Sequence, residues 1–172
     1  MSHWTDSPVW TPPKPPADRW TWLRWGTAVL AADLVVHTAG GVLANDWEDW
    51  AVFWENFAFV LITGVVIVGG TFGVVVRWAL RPTPRGNRAA TVALWTGAAS
   101  LASYAIFFTW APVLIAPAAL LLAQEGLRNA GSTGERRRAM TGRVLAICTF
   151  AVFAWFVAAV FVTGTYPYPF DG

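Results

Sequence analysis

The feature that most constrains this chain is an uncharged run of 36 residues, Ala89–Gln124, with an arginine cluster at each end. As a single helix this run would be about 54 Å long, nearly twice the ~30 Å hydrocarbon core of a bilayer. Arginine-rich loops stay on the cytoplasmic side of a membrane, so both ends of the run are expected on that side. The chain is therefore predicted to enter the membrane and return, with its turn at Thr109–Pro112.

The composition indicates that lipid is the main solvent of this chain. Of its 172 residues, 56% are hydrophobic and 13% are charged, whereas soluble domains carry about 25% charged residues. The formal net charge is +2, and the basic residues lie beside apolar segments. Sidedness in a membrane explains that placement, and no basic face for a nucleic acid is expected. The predicted partners are the lipid bilayer, other membrane proteins or a second copy, and no nucleic acid.

The predicted fold is an all-α, polytopic transmembrane helix bundle with five spans. Residues 1–19 are expected to form a disordered cytoplasmic tail, because the five prolines in this segment are incompatible with a helix. Residues 20–172 are expected to form one transmembrane domain. Its predicted spans are, in chain order, residues 25–44, 53–76, 90–108, 112–127 and 144–163. The alternative has four spans, with residues 112–127 re-entrant or interfacial, because that segment would be only about 24 Å long.

The charges also predict an orientation in the plasma membrane of a bacterium. The loop before the second span carries acidic residues and no basic residue, and all twelve lysines and arginines fall on the opposite side. The N-terminus is therefore predicted to be cytoplasmic and the C-terminus external. The segment Arg128–Arg143 is predicted to be a flexible, basic cytoplasmic loop.

Two ionisable residues interrupt the first predicted span. Asp33 and His37 are four residues apart, so they share one face of a helix and can touch. They would lie about 12 and 18 Å into the span, near the midplane of the membrane. A charge there costs about 2.5 kcal/mol or more, so the pair requires a partner, water or neutralisation. It is predicted to be either a proton relay or cation site, or a structural hydrogen-bonded pair.

Small residues predict where helices approach one another closely. Gly69 and Gly73 form a small-xxx-small step in the second span, and Gly97 lies in an alanine-rich stretch of the third. The expected use of these steps is packing between helices of this chain, and the alternative is an interface with another copy or partner.

Catalytic and cofactor motifs are missing from the sequence. There is no HExxH, GxSxG, Walker A or CxxC pattern. A metal site needs three or four ligands, and only Glu55 could join Asp33 and His37. No enzyme activity, cofactor or metal is therefore expected. Glu125 is expected to form a solvated pair with Arg128.

The second half of the chain contains three segments of a recurring type: TGAASLAS at Thr96–Ser103, ALLLAQEGLRNAG at Ala119–Gly131, and GERRRAMTGRVLAI at Gly134–Ile147. Over about Arg85–Thr163 the chain thereby resembles small actinobacterial polytopic membrane proteins of unknown function. The resemblance implies a helical hairpin, a Gly/Arg loop and a final helix, and it implies no activity.

Three classes of function fit these observations. Short loops and close-packing steps without a site motif favour a non-catalytic accessory, assembly or scaffold component of the membrane. The alternative is a small proton- or cation-coupled transporter that uses Asp33 and His37. A membrane enzyme acting on a lipid or a quinone would need a catalytic cluster, which the sequence does not offer.

Overall fold

The computed structural model describes residues 20–43, 50–81, 87–106 and 111–163, and it has no strand in these ranges. The all-α prediction is therefore confirmed for this part of the chain. The helical elements are α1 (Thr21–Leu43), α2 (Trp50–Val68), a π-helical segment (Gly69–Val76), α3 (Arg77–Ala79), α4 (Arg88–Ile106), α5 (Ala111–Arg128) and α6 (Thr133–Thr163). The second of these continues through the π-helical segment into α3, and we call this continuous helix the α2–α3 rod.

Three of the described helices are long and apolar enough to cross a membrane: Phe53–Ala79, Ala111–Arg128 and Thr133–Ala159. They identify the chain as a membrane protein. Helices α1 and α4 are not among these three. Three of the five predicted spans are thus supported by helices of this kind. The crossings by α1 and α4 remain a prediction.

The last three helices pack into a compact group, which we call the three-helix unit. Helix α5 lies at its centre: in its most apolar 18-residue window 61% of the residues are buried, against 22% in the α2–α3 rod and 17% in α6. The buried surface of α5 consists mainly of alanine and leucine, such as Ala118, Leu121 and Leu122. Small side chains on α4, including the fully buried Ala90 and Ala93, allow that helix to lie close against α5.

Helix α1 and the α2–α3 rod form a hairpin that packs on the three-helix unit. Val68, Phe72 and Val76, spaced four residues apart on the rod, are buried in the same apolar cluster as Leu121 and Leu122 of α5. Trp22, Val29 and Leu30 of α1 are only partly buried at the edge of this cluster. The hairpin therefore joins the core mainly through one face of the rod. Its π-helical segment was not predicted, although Gly69 and Gly70 have the low α-helical propensity that favours such a departure.

The predicted spans match the observed helices to within four residues at all ends but one. Predictions for residues 1–19, for the acidic loop, for Ala44 and for the turn at Thr109 and Trp110 fall outside the described ranges. Helix α6 begins at Thr133, eleven residues before the predicted span at Val144. The prediction that Arg128–Arg143 is a flexible loop is therefore wrong over most of its length.

Side-chain caps that resemble a capping box explain why α6 begins so early. The hydroxyl of Ser132 accepts a hydrogen bond from the Glu135 backbone N–H at 3.2 Å. The Glu135 carboxylate accepts one bond from the Gly131 N–H and a second from the Asn87 N–H, each at 2.8 Å. Serine followed three residues later by glutamate is the sequence signal of such a helix start. The sequence contains this signal, but the three arginines that follow Glu135 are also typical of a basic loop.

The helix ends that carry arginine meet at one end of the bundle. The guanidinium of Arg77 lies 5.6 Å from the ring centre of Trp22, and that of Arg88 lies 4.4 Å from the ring centre of Trp78. Asn87 joins the start of α4 to α5 by donating its side-chain N–H to the carbonyl of Gly126. We call this region the basic end. Its arginines in the described ranges are Arg24, Arg77, Arg81, Arg88, Arg128, Arg136, Arg137, Arg138 and Arg143.

Candidate functional site

The two ionisable residues of α1 contact each other within the hairpin. His37 Nδ1 lies 3.1 Å from Asp33 Oδ1 and 3.0 Å from the Asp33 backbone oxygen. The Asp33 backbone oxygen can only accept, so this geometry fits a His37 ring that carries a proton on Nδ1. The Asp33 side chain is 3% exposed and that of His37 is 17% exposed. The four-residue spacing thus brings the two side chains into contact. The carboxylate is buried, and the imidazole is partly buried.

A glycine on the facing helix makes room for the carboxylate. A Cβ atom placed on Gly64 would lie 2.9 Å from Asp33 Oδ2 and 3.1 Å from Leu30 Cδ1. Any larger residue at this position would therefore collide with the polar pair. Gly64 is the site residue that the sequence did not single out for this role, because its partner lies on another helix. The spacing of Gly64, Val68 and Phe72 on the rod places all three against α1.

The surroundings of the pair limit its chemistry. Within the described ranges, no three His, Cys, Asp or Glu side chains lie close enough together to hold a metal ion. Two other rod residues that pack against α1, Val68 and Phe72, are apolar. A carboxylate–imidazole pair can hold a single proton in two positions, or it can serve as a buried hydrogen bond that fixes the α1 rotamers. A relay would need further groups that lead to both surfaces of the membrane.

Glu125 is more buried than predicted. Its side chain is 10% exposed, and Oε1 accepts a hydrogen bond from Arg128 Nη1 at 3.0 Å. The backbone oxygen of Glu125 accepts further bonds from the backbone and side chain of Asn129. The predicted pair with Arg128 is present, but the expectation that Glu125 would be solvated is wrong because α5 is the central helix of the unit.

Three glycines allow backbones to touch in the three-helix unit. A Cβ on Gly142 of α6 would lie 2.5 Å from both the carbonyl carbon and the oxygen of Ala93. A Cβ on Gly97 would lie 2.6 Å from the Gly142 oxygen, and one on Gly126 would lie 2.8 Å from Ala90 Cα. Gly97 was predicted as a packing residue, whereas Gly126 and Gly142 were not. Their signal would have been alanines and glycines recurring on the three facing helices.

Gly69 and Gly73 do not make such close contacts within the described chain. A Cβ on Gly69 would have no atom of a facing described residue within 4 Å, and one on Gly73 would meet Trp22 Cζ3 at 3.9 Å. Packing against other helices of this chain therefore does not explain these two positions. What remains of the prediction is a contact with lipid, with a second copy or with another membrane protein.

No protein-family model matches this chain, and comparison with curated proteins and with solved structures finds no match. The resemblance to actinobacterial membrane proteins over Arg85–Thr163 therefore stays a prediction. The function must be inferred from the arrangement of the helices themselves.

Proposed function

We propose that this chain is a non-catalytic accessory, assembly or scaffold component of the plasma membrane. The observation that carries the proposal is the large apolar surface that the chain leaves uncovered. In the most apolar 18-residue stretch of each helix, only 22% of the residues are buried in the α2–α3 rod and 17% in α6, against 61% in α5. A small protein that keeps two of its most hydrophobic helices at its periphery offers extended faces to other membrane proteins.

One face of the rod has the pattern of a helix-packing surface. Phe59, Ile62 and Val66 are 63–67% exposed and are followed at the same spacing by Gly69 and Gly73. Each glycine within a helix costs about 1 kcal/mol relative to alanine, and lipid chains gain nothing from its missing side chain. Close approach of another helix does use it. We call this stripe the outer rod face.

The topology that goes with this function has five spans, a cytoplasmic N-terminus and an external C-terminus. It is supported by the gathering of arginines at the basic end, which the positive-inside rule assigns to the cytoplasm. Reporter fusions after Gly86, Ala111, Gly131 and Gly172 should read inside, outside, inside and outside. Inside readings at the first three positions would contradict the hairpin of α4 and α5 and favour the four-span alternative.

Photocrosslinking in native membranes tests the proposed function. A photoreactive residue at Val66 on the outer rod face should give a protein adduct of reproducible mass, and its partner should co-purify with the untagged chain in mild detergent. Gly69→Leu should abolish the adduct, whereas Val74→Leu, at an exposed position on the same rod, should leave it intact. Lipid adducts alone at Val66, unaffected by Gly69→Leu, would contradict a scaffold role for this face.

A second candidate function is coupled transport of a proton or cation through the Asp33–His37 pair. The burial of the Asp33 carboxylate and its 3.1 Å contact with His37 favour it, because intramembrane ionisable residues commonly serve transport. In liposomes of purified protein, a transporter should show flux that Asp33→Asn abolishes without loss of folded protein. Flux equal to that of empty liposomes would exclude this function.

A further inference from the structure

A cleft of about 550 Å³ lies between α1, α5 and α6, away from Asp33 and His37. It is separate from the outer rod face and plays no part in the proposed scaffold function. Its lining is Trp25 of α1, Leu120, Leu121, Gln124, Leu127 and Arg128 of α5, and Arg143 of α6. The lining is apolar except for one amide and two guanidinium groups.

The cleft brings guanidinium groups from two helices beside an apolar wall. On α5, Leu120 and Arg128 are eight residues apart, which corresponds to about 12 Å along the helix axis. Arg128 belongs to the basic end, and Arg143 reaches the cleft from α6. The cleft therefore combines a cationic mouth, formed by the side chains of Arg128 and Arg143, with an apolar wall of leucines and Trp25. This combination matches an amphipathic molecule whose anionic head lies at the two arginines.

The two arginines at the mouth of the cleft favour an anionic ligand. The Arg128 side chain is 57% exposed and shares one N–H with Glu125, and the Arg143 residue is exposed. In the part of the chain that the structure describes, Arg143 has no carboxylate within ion-pair distance. Arg143 therefore brings to the cleft a guanidinium charge that no described carboxylate pairs with. Guanidinium binds phosphate oxygens through paired N–H donors.

We propose that this cleft binds one anionic phospholipid, with its phosphate at Arg128 and Arg143 and an acyl chain against Leu120 and Leu121. Basic pockets between transmembrane helices on the cytoplasmic side bind anionic headgroups in this way. A zwitterionic lipid would bring its own cation to the mouth and gain less from the two arginines. A soluble phosphate compound would leave the apolar wall uncovered.

Native mass spectrometry of the full chain in detergent tests the proposal with phosphatidylglycerol and phosphatidylcholine of identical acyl chains. Wild type should retain one phosphatidylglycerol in preference to phosphatidylcholine. Since each arginine near anionic lipid contributes about 1 kcal/mol, Arg143→Gln should lower this retention about fivefold. Arg137→Gln is the matched control, because it removes the same charge from an exposed position of α6 outside the cleft.

Two further measurements distinguish lipid binding in the cleft from a general effect of charge and from binding of a free phosphate compound. Arg143→Lys should keep most of the preference, and glycerol phosphate should not displace the bound lipid. Equal losses in Arg143→Gln and Arg137→Gln, equal retention of the two lipids, or displacement by glycerol phosphate would overturn the proposal. Because Arg143 is exposed, its variants should fold, and a circular dichroism spectrum identical to that of wild type checks this.

Discussion

The hairpin of α1 with the α2–α3 rod and the three-helix unit both depend on glycine, but they use it differently. In the three-helix unit, Gly97, Gly126 and Gly142 bring backbone against backbone. In the hairpin, Gly26 makes room for the Phe72 side chain, and Gly64 makes room for the Asp33 carboxylate. A side chain can change rotamer when its space changes, whereas a neighbouring backbone must move with its whole helix. The unit should therefore be rigid and the hairpin adaptable.

This difference fits the proposed roles of the two regions. The three-helix unit buries its central helix and supplies a fixed platform, while the hairpin carries the polar pair and the outer rod face. An adaptable hairpin can change its packing when a partner binds without disturbing the core of the unit. Substitutions that add the same methyl group in each region test this difference.

The largest effect is expected for Gly142→Ala in the three-helix unit. The added methyl would lie 2.5 Å from the Ala93 carbonyl, so α4 and α6 must separate. We expect a loss of about 3 kcal/mol in the free energy of unfolding, or failure to fold. Unfolding by SDS in mixed micelles measures it.

Gly70→Ala is the matched control, because a Cβ there has no neighbour within 4 Å. It should cause no loss of stability. Similar losses for the two substitutions would mean that the backbone contact between α4 and α6 is not what holds the unit together.

A smaller effect is expected for Gly64→Ala in the hairpin. The new methyl would meet side-chain atoms of Asp33 and Leu30 at 2.9 and 3.1 Å, which can move at a cost of about 1 to 2 kcal/mol in unfolding free energy. In an Asp33→Ala background the carboxylate is gone, so the same substitution should cost less than about 0.5 kcal/mol. An undiminished loss in that background would contradict the direct contact of Gly64 with the Asp33–His37 pair.

The smallest effect is expected for a hydroxyl pair between α4 and α6. Ser100 Oγ and Thr149 Oγ1 are 3.0 Å apart and buried. Hydrogen bonds between membrane helices average about 0.6 kcal/mol, so Ser100→Ala should lower the unfolding free energy by about that amount. Ser103→Ala removes a hydroxyl that bonds the carbonyl of its own helix and should cost less. A loss above about 2 kcal/mol at Ser100 would show that polar contacts, rather than glycine packing, dominate the unit.

The sequence predicted what depends on neighbours along the chain and missed what depends on neighbours across it. The five helices follow from uncharged runs bounded by charges and prolines, and the Asp33–His37 contact follows from a spacing of four. The facing glycines at 64 and 142 could not be assigned, because their roles are set by residues on other helices. The burial of Glu125 was missed for the same reason.

Two other errors have different causes. The start of α6 was placed eleven residues too late because the arginines after Glu135 were interpreted as a solvated loop, although a capped helix can carry such a run. For Gly69 and Gly73 the expected use was packing within this chain, and the alternative was an interface with another copy or partner. Neither glycine makes a close contact with another described helix, and the same motif serves lateral association equally well.

Amide hydrogen exchange of the full chain in lipid nanodiscs tests the central claim, a rigid three-helix unit beside an adaptable hairpin, most directly. Local opening of a helix depends on how firmly its neighbours hold it. Peptides from Arg88–Ile106 and from the first half of α6 should exchange at least tenfold more slowly than peptides from Thr21–Leu43, at equal depth from the basic end. Equal protection of α1 and α4, or stronger protection of α1, would contradict the account.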